Sequence, residues 1–134
     1  MRFTTIFLAC FALLAAAPLS AQGLTVQMGE TWLFAVDKGQ PVRARKVDAK
    51  AAPAAGQIKV SLRPMMGTTM SVINNSRFDY AYRATLVMPD GKTGAAKSCA
   101  VPANGRMAME HWPKSVQAVR LSDFSPAPAG SLCP

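Results

Sequence analysis

Histidine occurs once in this chain of 134 residues, as His111, and acidic side chains are few, seven Asp and Glu against fifteen Lys and Arg. The seven carboxylates are scattered, and no two share a spacing that would place them in one site. Glu110 adjoins His111, but on an extended strand neighbours point to opposite faces. General acid–base and nucleophilic catalysis depend on such sets, so the expectation is a protein that is not an enzyme. Aromatic residues make up only 7%. No basic segment is interleaved with aromatics to stack bases, which weighs against nucleic acid as a partner. A sustained apolar repeat at helical spacing is also missing, whereas Gly (9) and Pro (10) are plentiful.

Charged residues reach 16%, below the roughly 25% of an average globular chain, and the first twenty-one residues explain much of that. Met1-Arg2 is followed by an uncharged run from Phe3 to Leu19, then by Ser20-Ala21. A short basic start, an apolar stretch and small residues before a polar one form a signal peptide, with cleavage expected after Ala21. The run is shorter than the ~20 residues that cross a bilayer comfortably. No later segment is apolar enough to act as a transmembrane anchor. The expected location is secreted or periplasmic.

Removing residues 1–21 takes away Cys10 and leaves Cys99 and Cys133. Two cysteines in an exported chain read as a disulfide. The bond would tie the Pro/Ala-rich tail, 125–134, back onto the domain and contribute about 3–4 kcal/mol through chain entropy.

Short period-two segments punctuated by turns run along the rest of the chain. Thr31 to Val47 reads as a hairpin around Asp37-Lys38-Gly39-Gln40, and an Ala/Pro linker follows from Asp48 to Gly56. Ile58, Val60 and Leu62 alternate with Lys59, Ser61 and Arg63. Thr68 to Ile73 ends in the turn cluster Asn74-Asn75-Ser76, and Tyr80 to Met88 ends at Pro89-Asp90-Gly91. Ser98 to Val101, Arg106 to Trp112 and Ser115 to Leu121 complete the set. About seven or eight short strands at this spacing predict an all-β fold, a small antiparallel β-sandwich of immunoglobulin-like architecture or a barrel. The expected division is a basic hairpin and linker over 22–57 and a sandwich core over 58–124.

Two constellations carry functional expectations. Between Asp37 and Arg63 the basic residues Lys38, Arg43, Arg45, Lys46, Lys50, Lys59 and Arg63 face only two acids. Such a basic hairpin is attracted to anionic surfaces, which makes Arg43, Arg45 and Lys46 candidates for contacting an anionic envelope component or an envelope protein. This leads to the primary expectation, an exported binding protein with no cofactor.

The second constellation is Met107, Met109 and His111, at alternate positions of one predicted strand, with Met65, Met66 and Met70 upstream. Thioethers and imidazole suit Cu(I). Together with Trp112, the Met-x-Met and His set resembles the ligands of periplasmic copper/silver metallochaperones with small β-barrel folds. The resemblance covers Met107 to Trp112 and implies copper as the ligand. The competing expectation is that Met107 and Met109 face the core while Arg106, Ala108 and Glu110 face solvent.

Overall fold

The computed structural model describes residues 23–128 and residue 133. The segment read as a signal peptide lies outside the described residues, as does most of the Pro/Ala tail beyond Pro128. Nine strands follow one another: β1 (Leu24–Gln27), β2 (Thr31–Asp37), β3 (Gln40–Val47), β4 (Ile58–Arg63), β5 (Thr68–Asn74), β6 (Tyr80–Val87), β7 (Thr93–Ala96), β8 (Arg106–Trp112) and β9 (Ala118–Pro126). They form two antiparallel sheets, one ordered β1-β9-β6-β7 and the other β3-β2-β4-β5-β8. The protein is all-β, and the two sheets pack as a β-sandwich.

Alternation sets which side chains lie between the sheets. On β4 the buried residues are Ile58, Val60 and Leu62, and on β5 they are Thr68, Met70, Val72 and Asn74. From the opposing sheet Val26, Ala84, Leu86, Val119 and Leu121 meet them. Phe124 joins the sheets at one end, edge-on to Phe34 at 5.5 Å and stacked on Tyr82 at 5.4 Å.

The β2–β3 turn forms where expected. Lys38 and Gly39 both have positive φ, 49° and 78°, the geometry of a type I′ hairpin, whose twist matches that of the flanking strands. The Gly39 carbonyl then accepts the Phe124 N–H at 2.8 Å, tying the hairpin tip to the other sheet.

Several expectations need correction. The hairpin does not precede the core but belongs to it, because β2 pairs with β4 and contributes the buried Phe34. The expected linker is a folded loop over the outer face of the five-stranded sheet. Lys59 donates to the Ala49 carbonyl, and Leu33, the outward-facing register partner of Lys59, is only 1% exposed. The expected strand at Ser98–Val101 is reduced to a single bridge between Val101 and Tyr80. That bridge meets the start of β6, and the unforeseen strand β7 pairs with its other end. Cys99 and Cys133 form the expected disulfide, with their sulfurs 2.07 Å apart.

Candidate functional site: the outer face of β8

Strand β8 is turned over relative to the core expectation. Met107 and Met109 are 54% and 60% exposed, and His111 is exposed beside them. Ala108 and Trp112 face inward and pack against the inter-sheet cluster. The cause is register. β8 is an edge strand that pairs only with β5, and Val72 and Met70 of β5 are committed to the core. Their partners Ala108 and Glu110 are therefore turned inward, whereas Met107, Met109 and His111 oppose the outward Ile73, Ser71 and Thr69. Glu110 is tolerated inside because it lies at the rim, where its Oε1 accepts the Cys99 N–H at 2.6 Å.

The β4–β5 loop completes this face. Met65 and Met66 are 58% and 91% exposed. Gly67, with φ of 104°, presses against the end of β8, so that a Cβ there would collide with the carbonyl oxygen of Trp112 and lie 2.6 Å from Pro113 atoms. Only glycine permits that approach, and it brings the β4–β5 loop against the end of β8. Met70 does not belong to the group; it is fully buried.

Thr69 anchors the ring of His111. Its Oγ1 lies 3.3 Å from the Met65 carbonyl oxygen and 3.2 Å from His111 Nδ1, so Nδ1 is the ring nitrogen engaged by Thr69 and Nε2 is the one that Thr69 leaves free. Orientation by a bond at the other ring nitrogen is how ligating histidines are held.

The residue types restrict what this face can hold. Among the described residues no three His, Cys, Asp or Glu side chains come close enough to share a metal ion. Zinc, calcium and magnesium have no donor set here. Thioethers with one imidazole are soft donors, suited to Cu(I). Met107 and Met109 start about 7 Å apart, two residues along one strand. Flexible methionine side chains close that distance.

Arg43, Arg45 and Lys46 are all exposed on β3, the opposite edge of the same sheet, but they do not converge on one face. Two residues of β3, Arg43 and Ala44, stand opposite the single residue Phe34 of β2, and Arg43 takes a φ of 50° in this bulge. Arg45 points outward with Leu33, while Lys46 lies on the Trp32 side and pairs with Glu30 at 3.4 Å. Glu30 is held below its ordinary pKa chiefly by the Trp32 indole N–H, with help from the Gln27 amide and Lys46 and against the pull of burial.

Tyr82 is the other perturbed group. Burial, and to a lesser degree the charge of Glu110, push its phenol far above the ordinary range. Its hydroxyl oxygen is buried and has no hydrogen-bond partner among the described residues.

Compared with protein-family models, curated proteins and solved structures, the chain matches none. The functional reading therefore rests on this geometry alone. Met107, Met109 and His111 were identifiable by spacing. Of the upstream methionines read with them, Met65 and Met66 are exposed in the adjoining β4–β5 loop and Met70 is in the core.

Proposed function

We propose that the protein is an exported, non-enzymatic binding protein of the cell envelope that takes up Cu(I) through Met107, Met109 and His111. The observation that carries this reading is the exposure of both methionines on one strand face, in line with an imidazole held at Nδ1 by Thr69. Exposed methionine is costly without a purpose, since each leaves apolar surface in water that a core position would bury. Residues 1–21 serve in this reading as the signal peptide, and the two-sheet sandwich is immunoglobulin-like in architecture.

The test is a titration of the purified mature protein with Cu(I) against a competing chelator. The expected result is one ion per chain and at least a tenfold loss of affinity in Met109→Leu, which keeps side-chain volume and removes the sulfur. Absence of binding, or equal binding by the variant, removes the copper reading.

A second reading is favoured by the exposure of Arg43 and Arg45, neither of which makes an ion pair among the described residues. In this reading β3 contacts an anionic envelope component. Crosslinking in intact cells should then lose partners in Arg43→Glu/Arg45→Glu, and an unchanged partner list eliminates β3 from the account.

A further inference from the structure

A second site lies at the other end of β8, about 17 Å from His111 along the strand. Three connections meet there: the β3–β4 loop, the β5–β6 turn and the segment between β7 and β8. Each is tied to the next by backbone hydrogen bonds. Gly56 N–H donates to the Asn75 carbonyl at 2.7 Å, Asn75 N–H to Gln57 at 2.9 Å, and Asn104 N–H to Ser76 at 2.8 Å. The Asn75 side-chain amide donates to the Pro53 carbonyl at 2.9 Å. Inside the Asn74-Asn75-Ser76 turn, Asn74 Oδ1 accepts from both the N–H and the hydroxyl of Ser76. These loops are fixed in place before any ligand arrives, which lowers the ordering cost of binding.

They enclose an open cavity of about 590 Å³, in the range that holds small molecules. Val36, Phe78 and Tyr80 form an apolar wall, and Asn75, Arg77 and Asn104 supply polar groups. Phe78 is 43% exposed, and apart from the methionines described above it is the large apolar residue that this surface leaves to solvent. The Arg77 guanidinium sits 5.3 Å over its ring, which holds a cation at the rim. No carboxylate neutralises that cation among the described residues. Asp79, two positions along, is already engaged by the Ala103 N–H at 2.7 Å and by Arg106 at 3.7 Å. Burial raises the Tyr80 phenol above its ordinary pKa, so it remains a neutral hydroxyl at physiological pH.

We propose that this cavity binds a small organic acid bearing a six-membered ring with an apolar face, the ring against Val36, Phe78 and Tyr80 and the carboxylate on Arg77. Asn75 and Asn104 line the same cavity and offer polar groups to hydroxyl substituents. A neutral ligand would gain nothing from Arg77, and an acid without a ring would leave the aromatic wall wet. Aromatic acids and sugar acids share this chemistry. The site does not depend on the copper reading.

The experiment uses amide NMR on the mature, disulfide-bonded protein, with 4-hydroxybenzoate and galacturonate as probes and the methyl ester of the first and galactose as neutral controls. At least one acid should shift the amides of Gly56, Asn75, Arg77 and Asn104 and bind tenfold or more tightly than its neutral counterpart. Arg77→Gln, a surface change, should reduce that affinity at least tenfold by removing a charge-assisted bond. Whichever acid binds identifies the source. Failure of both acids to shift these amides at about 10 mM, an affinity weaker than any specific site warrants, overturns the proposal. So does equal binding by the neutral controls or by Arg77→Gln.

Discussion

Methionine 70 and methionine 109 lie on neighbouring strands of one sheet, and truncating each to alanine removes the same atoms from opposite faces. Met70 is fully buried. Its loss forfeits the whole transfer energy and leaves a cavity, so Met70→Ala should cost about 2–5 kcal/mol. Met109 is 60% exposed. Burying an entire methionine side chain is worth about 1.5–3 kcal/mol, and with well under half buried the cost of Met109→Ala should be about 1 kcal/mol or less, with no cavity to add. Met107, at 54% exposure, should behave like Met109. Urea unfolding with the disulfide intact measures all three, provided the slope with denaturant stays constant so that midpoint shifts report stability. A cost above about 2 kcal/mol for Met109→Ala would mean that the residue is inside. It would refute the assigned orientation of β8 and the proposed metal site with it. Equal costs at Met70 and Met109 would do the same.

Three further outcomes are expected. Tyr82→Phe removes a buried hydroxyl that has no partner among the described residues while keeping the ring on Phe124, and should stabilise by up to about 1 kcal/mol. Destabilisation in thermal unfolding would show that the hydroxyl is bonded. Because the Glu30 pKa is depressed in the folded protein, its charge contributes stability above the ordinary value of 4.5, and that contribution is lost as the pH falls through the depressed value. The stability gap between wild type and Glu30→Gln should therefore be full at neutral pH and close on acidification, and a gap that persists at low pH would contradict the pairing. Cys133→Ser opens a loop closed over a separation of 34 residues and should cost about 3–4 kcal/mol in urea unfolding. Alkylation of native wild type should label neither Cys99 nor Cys133.

Much of the fold could be read from residue order because turns and alternation are local. Asp37-Lys38-Gly39-Gln40, Asn74-Asn75-Ser76 and Pro89-Asp90-Gly91 all terminate strands where expected, and β4 buries its apolar face. What could not be read was decided between strands. β8 carries apolar residues on both faces, so its own pattern is nearly neutral, and pairing with β5 determined which side became the core. β7 is Thr-Gly-Ala-Ala, with no alternation to detect, and is a strand only because β6 offers backbone partners. The bulge at Arg43 separates side chains that a straight strand would have kept in line. Of the outer face of β8, spacing disclosed Met107, Met109 and His111. Exposure, the Thr69 bridge and the approach at Gly67 are tertiary facts. The cavity beside Phe78 draws on three loops far apart in sequence, and no single stretch announces it.

Strand β9 stands between β1 and β6, so Leu24 is paired with Leu121 across nearly the whole described chain. A chain that emerges amino end first therefore lacks the middle of one sheet until β9 arrives. Until then β1 has no neighbour to close on and β6 has only the short β7, so the four-stranded sheet cannot cover the apolar face of the other. Long-range pairing of this kind folds slowly, and here the delay is imposed by the order in which the strands emerge. Cys133 follows β9 in the chain, so the covalent clasp to Cys99 closes on a sandwich whose strands are all present. A polypeptide of this design stays open until β9 is released, and only then can its two layers shut on one another.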